Sequence, residues 1–205
     1  MMRKLKYFLD LEKEERWLNQ MAAEGYELVG KSMGYKFHKA KPENSNIKID
    51  YRIFKKQADF VDYITLFENC GWKHVAGTKG SGTHYFKRVS NMADEDIFSD
   101  IDSKAGRYKR LSDMYMSLAA CYLPIFAALV MTNAIDTGAF LNPKQLYLTP
   151  GLWEKEGSAF WESFLFETPF AFFRGFAWTA FPILIVLCFV FSFKAQQQYK
   201  NMKKL

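Results

Sequence analysis

Three cysteines and three histidines are all that 205 residues provide. Cys70 stands alone in the polar half of the chain, and Cys121 and Cys188 fall inside apolar runs. No disulfide framework is therefore expected, and a reducing compartment suits the polar half. His38, His74 and His84, with Cys70 the nearest thiol, do not assemble the three or four closely spaced ligands of a zinc site. A Cys70–His74 nucleophile pair lacks a third, orienting residue. The glycine-rich stretch Gly77-Thr78-Lys79-Gly80-Ser81-Gly82 matches neither the P-loop nor the dinucleotide fingerprint, and it leads into a strand rather than a helix. The acidic stretch from Asp94 to Asp102 has no glycine and no distal glutamate in the calcium-loop positions. No catalytic residue, metal or cofactor is expected, so the reading is non-enzymatic.

Charge is missing altogether from two long segments, Met114–Ile135 and Gly175–Phe193, of 22 and 19 positions. As helices they reach about 33 and 28 Å, enough for a hydrocarbon core of roughly 30 Å. Lys104, Arg107, Lys109 and Arg110 precede the first run, and Lys194, Lys200, Lys203 and Lys204 follow the second. The stretch between carries Asp136, Glu154, Glu156, Glu162 and Glu167 against Lys144 and Lys155. The positive-inside rule then predicts two transmembrane helices with both termini cytoplasmic, and a lipid bilayer as the first partner. The net charge of +6 is explained by these basic flanks. With no basic stripe or binding motif, nucleic acid is not an expected partner. The basic N-terminus meets Asp10, Glu12 and Lys13 directly after Tyr7-Phe8-Leu9, so no signal-peptide core forms and the internal runs are expected to drive insertion.

The polar half reads as two copies of one unit. Leu5–Leu9 and Ile47–Ile53 alternate as half-buried strands. Each precedes a helical pattern: Leu11, Trp17, Leu18, Met21 and Ala22, then Phe60, Tyr63, Ile64 and Phe67. Each helix ends at a glycine and an aromatic, Gly25-Tyr26 and Gly71-Trp72, and a hairpin follows: Tyr26–Lys31 with Tyr35–Lys39, then Trp72–Ala76 with Thr83–Val89. The fold class is α+β, a duplicated βαββ domain with one antiparallel sheet and two helices on one face. Aromatic residues make up 18% of the chain, so Tyr26, Tyr51, Trp72, His74 and Tyr85 are candidate ligand-binding residues at the seam between the copies.

The expected organisation is the duplicated domain over 1–90, an acidic linker and basic collar over 91–110, and a first transmembrane helix over 111–135. An outer loop covers 136–171, a second transmembrane helix 172–194, and a basic tail 195–205. Pro124 and Pro182 predict kinks. Gly175 and Thr179 form a small-xxx-small pair suited to close helix contact. Arg174 is placed to snorkel or to pair with Asp136. Phe160, Trp161, Phe164 and Leu165 predict a short interfacial helix before the second run. With no charge inside either run, an ion pathway within one protomer is not expected.

The strings Leu9-Asp10-Leu11-Glu12-Lys13-Glu14-Glu15-Arg16-Trp17-Leu18, Ala23-Glu24-Gly25-Tyr26-Glu27-Leu28, Tyr51-Arg52-Ile53, Gly71-Trp72-Lys73-His74-Val75-Ala76-Gly77 and Asp94-Glu95-Asp96-Ile97-Phe98-Ser99-Asp100 together resemble the DUF2812 family over residues 3–110. The resemblance implies a bacterial protein, here of the plasma membrane. Such proteins are often encoded beside a PadR-type transcription regulator, and membrane helices often follow the domain. It carries no active site with it. The duplicated βαββ pattern is similar, at the level of fold alone, to GyrI-like effector domains. The expected role is an interaction or sensory module held at the membrane. The basic collar, Lys104, Arg107, Lys109, Arg110, Lys194 and Lys200, sets topology and passes a signal to the helices. Expected partners are another membrane or regulatory protein. The alternative is an accessory or self-assembling homo-oligomeric part of a transport complex.

Overall fold

A computed structural model describes residues 1–204. Residues 1–113 form one compact unit together with the end of the chain from Ser192, and Met114–Phe191 form a second. In the first unit β1 (Met2–Lys4), α1 (Leu11–Ala23), β2 (Tyr26–Lys31) and β3 (Tyr35–Lys39) make one βαββ copy. β4 (Ile47–Tyr51), α2 (Gln57–Asn69), β5 (Trp72–Ala76) and β6 (Thr83–Arg88) make the other. The second copy follows the first by 46 positions, as 57 is to 11 and 71 is to 25. Asp10 caps α1 by accepting from the backbone N–H of Glu12 and Lys13, and Glu12 and Glu14 favour its first turn. Both helices stop at left-handed glycines, Gly25 with φ +83° and Gly71 with φ +82°.

All strand pairs are antiparallel, and they form two three-stranded sheets, β1-β3-β2 and β4-β6-β5, instead of the single sheet expected. The reason lies in β2 and β5, which run side by side. Each carries a bulge at the equivalent place, between Leu28 and Gly30 and between His74 and Ala76. A bulge leaves a residue unpaired and twists the edge away, so the ladder does not continue across.

The first strand also lies earlier than its alternation suggested. Met2 pairs with Phe37 and Lys4 with Tyr35, while Leu5 (80% exposed) and Tyr7 point outward. Phe8, of opposite parity, packs at 5.4 Å on Trp17 and at 6.4 Å on Tyr35. The strand beginning at Ile47 ends at Tyr51 because the next backbone N–H groups turn to the second hairpin loop: Arg52 donates to Gly82 O at 2.7 Å and Phe54 to Lys79 O at 3.0 Å.

Residues 90–113 close the unit rather than leave it. α3 (Ile101–Met131) begins here. Arg107 is fully buried, donating to Glu15 Oε1 at 2.5 Å and to Ile49 O at 2.6 Å. Arg110 donates to Asp50 Oδ1 at 2.6 Å and to Tyr51 O at 2.5 Å. Tyr108, also buried, donates to Asp10 Oδ1 at 3.1 Å and accepts from Glu12 N at 3.3 Å. Lys104 reaches Asp96 at 2.8 Å. The collar is thus in large part an internal device, with Arg107 turned away from any lipid surface. Further along, Ser112 Oγ donates to Ser192 O at 3.0 Å and Ser192 Oγ to Ser112 O at 3.1 Å, tying α3 to the last helix.

The second unit contains the rest of α3, three short 3-10 helices (Thr137–Phe140, Pro143–Leu146, Leu152–Glu154) and most of α4 (Gly157–Met202). The stripe Phe160, Trp161, Phe164 and Leu165 is the opening of α4, not a separate helix. Backbone continuity through Pro169 and Pro182 joins it to the second apolar run. Tyr147 stacks on Phe164 at 5.3 Å, which anchors the 3-10 segment to that stripe. Arg174 pairs with Glu167 at 3.6 Å and donates to Leu146 O. Asp136, its expected partner, instead caps the first 3-10 helix through Gly138 N at 2.8 Å. Gly175 is spent inside the chain, since a Cβ there would meet Leu146 Cδ1 at 2.9 Å. α3 and α4 are both long and apolar enough to cross a membrane. Ala119, Ile185 and Cys188 are buried, while Phe172, Phe173 and Phe176 are each about two-thirds exposed.

Removing the Arg107 side chain leaves buried Glu15 with only the more distant Lys48, at 3.9 Å, as a cation. Arg107→Met is expected to cost about 3–5 kcal/mol, and adding Glu15→Gln to recover most of that loss. Denaturant unfolding of the two variants in detergent measures both.

Candidate functional site

The expected seam is filled. Glu14 on α1 accepts at Oε1 from three groups: Tyr35 OH at 2.6 Å, Tyr85 OH at 2.6 Å and Lys31 Nζ at 3.0 Å. Tyr85 comes from the second copy, so one buried carboxylate stitches the copies together. Burial and then Glu14 push both tyrosine hydroxyls far above their ordinary range, so they stay protonated donors. What remains of the seam is a void of about 10 Å³ bordered by Leu28, Ile47, Val75 and Lys87, room for about one water.

None of the five proposed ligand-binding residues borders that void. Trp72 (1% exposed) is in the core with Tyr63, Phe86 and Ala93. Tyr85 is bound to Glu14, and Tyr51 is buried beneath Gly82, whose Cβ would lie 2.6 Å from its ring. Tyr26 is half-buried, with Lys4 over its ring at 5.8 Å. His74 packs on Phe60, His84 and Phe86. The structure does not bring them together as a binding surface. Aromatic composition alone did not separate core packing from cleft lining.

An open feature of this unit lies beside the collar. A cleft of about 240 Å³ is bordered by Asp50 and Arg52 at the end of β4, Tyr63 and Phe67 on α2, Phe98, and Arg110 on α3. Tyr63 OH donates to Asp50 Oδ2 at 2.8 Å, and Arg110 holds the other oxygen. Burial, then Asp50, raise the Tyr63 hydroxyl far above its usual range. Arg52 lies over the Tyr63 ring at 5.4 Å; it is exposed and makes no ion pair among the described residues. Neither Asp50 nor Arg52 is among the residues expected at a site. An Asp-Tyr-Arg triplet at the end of a strand, four residues before α2, was the signal available. Of the remaining collar residues, Lys109 makes an exposed pair with Asp113 at 3.7 Å, and Lys194 and Lys200 are exposed on α4.

Behind the cleft, two histidines face one glycine. His84 Nε2 bonds Arg52 O at 2.9 Å, so the ring donates there and keeps its lone pair on Nδ1. His84 Nδ1 and His74 Nε2 are both buried with no partner among the described residues. A Cβ at Gly77 (φ +123°) would stand 2.6 Å from the first and 3.1 Å from the second. No group of three or more metal-ligating side chains occurs among the described residues. Burial, then His84, lower His74 to about 4, and burial likewise lowers His84.

A histidine whose pKa is depressed by folding contributes stability above its unfolded value and loses it as pH falls through the folded one. Stability of this unit should therefore fall between about pH 6.5 and about pH 4. His74→Phe should flatten that fall, measured as unfolding midpoints of the full-length protein across this pH range.

The family described as protein of unknown function (DUF2812) matches residues 10–120. The match runs through α1, both bulged hairpins and the collar, and into the apolar part of α3. None of the curated proteins and none of the solved structures matches the chain. With more than half of its length matched, the chain belongs to the DUF2812 family.

Proposed function

We propose that this protein is a membrane-anchored, non-enzymatic interaction module. Its duplicated domain lies at the cytoplasmic face of the bacterial plasma membrane and docks another protein at the collar cleft. The observation that carries this reading is the buried Arg107 on α3, the helix that continues into the first apolar run. The helix that leaves the domain is thereby one of the domain's own elements. Supporting the membrane assignment, large apolar side chains of both helices are left exposed, Leu123 and Ile125 on α3 and Phe170, Phe172, Phe173 and Phe176 on α4 among them. Water would penalise such a surface heavily, whereas lipid would not.

Size favours protein docking over ligand capture. The 240 Å³ cleft falls below the ~300–1,000 Å³ of small-molecule sites, leaving room for one or two side chains. Arg52, exposed and unpaired beside the charge-balanced Asp50–Arg110 pair, suits an acidic side chain of the partner.

Cys70, exposed at the end of α2, is a native probe of sidedness. With Cys121 and Cys188 changed to serine, an impermeant maleimide should leave Cys70 unlabelled in intact cells and label it after lysis. A cysteine at Lys155 should behave in the opposite way. Labelling of Cys70 in intact cells contradicts the cytoplasmic placement. In pull-downs from native membranes, Arg52→Glu should lose a partner that the unaltered chain retains; equal recovery by both contradicts docking at the cleft.

A further inference from the structure

A second cavity, about 450 Å³, lies in the first unit where the segment leading into α1 meets the last turns of α4. Phe8, Asp10 and Lys13 line one side, and Lys194, Gln197 and Gln198 the other. Its volume falls within the ~300–1,000 Å³ of small-molecule sites, unlike the seam or the collar cleft.

Its charges are arranged, not random. Lys13 and Lys194 are exposed, and neither ammonium has an ion pair or hydrogen bond among the described residues. The other lysines of this unit that approach the core are engaged: Lys31 with Glu14, Lys87 with Glu27 and Glu43, Lys104 with Asp96. Asp10 is committed through one oxygen only, since Oδ1 takes the N–H of Glu12, the N–H of Lys13 and the hydroxyl of Tyr108. That leaves two cations, one carboxylate oxygen and two amide side chains around a space of headgroup size. The net charge of the three ionised side chains is one positive, which complements the single negative charge of a phosphodiester.

Position selects the source of that phosphodiester. Lys194 is the first charged residue after the apolar run that ends at Phe193. On the reading of α4 as membrane-spanning, this is the depth at which acyl chains give way to headgroups, where lysines and aromatic rings gather. Phe8 supplies the ring, with Lys6 over it at 4.9 Å.

We propose that this cavity binds the headgroup of one membrane phospholipid. Lys13 and Lys194 hold the phosphodiester, and the free oxygen of Asp10 accepts a hydrogen bond from the headgroup beyond it. A headgroup with a donor, such as phosphatidylglycerol, satisfies all three groups. Phosphatidylcholine, whose trimethylammonium has none, leaves Asp10 unsatisfied. The inference rests on the membrane anchoring proposed above and adds a ligand to it.

Native mass spectrometry of the full-length protein in mild detergent tests this with phosphatidylglycerol added, phosphatidylcholine as the control lipid and glycerol 3-phosphate as a soluble competitor. One retained phosphatidylglycerol per chain is expected, with phosphatidylcholine retained less. Retention should drop about tenfold in Lys13→Ala/Lys194→Ala, as for loss of charge-assisted contacts worth a factor of ten, and hold in Lys55→Ala. Equal retention by the double variant overturns the site. Displacement by glycerol 3-phosphate overturns the lipid source and points to a soluble phosphate ester. Flotation of the same proteins with liposomes separates the two levels. Chains that float but retain no lipid refute the headgroup site alone, and chains that do not float refute the anchoring.

Discussion

The buried guanidinium of Arg107 is the constraint around which the first unit is arranged. A cation removed from water needs a partner. Here the partners are Glu15 on α1 and the carbonyl of Ile49 on β4, one from each βαββ copy. Burial lowers the tendency of Arg107 to hold its proton, but Glu15, Tyr108 and Glu12 more than restore it, so its pKa is raised. A guanidinium keeps its charge under all ordinary conditions. Burial pushes Glu15 up, with Arg107 and Lys48 pulling the other way. The bond between them makes the start of α3 a structural member of the duplicated domain. Glu14, one residue before Glu15, performs the matching task across the seam with Tyr35 and Tyr85. Two adjacent glutamates on one helix, each buried, hold the copies to each other and to α3.

Much of this was legible in the sequence because period and punctuation are local. Gly25-Tyr26 and Gly71-Trp72 marked the helix ends, and both helices and both hairpins fall where the apolar pattern put them, within a residue at the end of β6. The first strand was misplaced because Leu5, Tyr7 and Leu9 alternate as a strand would, although Phe8 is the residue that packs. The single sheet became two because a bulge has no apolar signature of its own; Val29 and Val75 look like ordinary strand residues. The roles of Arg107 and Arg110 were illegible for another reason. A basic cluster before an apolar run is the pattern of a membrane flank, and nothing local reveals that acidic residues 92 and 60 positions away claim two of its members. Likewise, of the five residues assigned to a seam pocket, Tyr51, Trp72 and Tyr85 are core residues, as composition could not separate lining from filling.

The two units follow different packing rules. In the first, the buried carboxylates of Glu14, Glu15 and Asp50 each have partners, and an apolar core faces inward. In the second, large apolar side chains face outward, and several polar groups are tied to backbone carbonyls or to each other: Thr168 to Phe164 O, Thr179 to Gly175 O, Arg174 to Leu146 O and Glu167. Polar groups satisfied within the chain are what a hydrocarbon solvent demands. The proposed cleft and headgroup site lie in the first unit, on opposite sides of the problem of being held at a membrane: one presents an unpaired arginine, the other two unpaired lysines.

Residues 101–113 belong to the folded core of the domain rather than to a tether. Amide hydrogen exchange of the full-length protein tests it directly. Protection across Ala105–Ser112 should match that of Leu18–Ala22 in α1, with both segments opening together. Fast, linker-like exchange in Ala105–Ser112 alongside a protected α1 would contradict it.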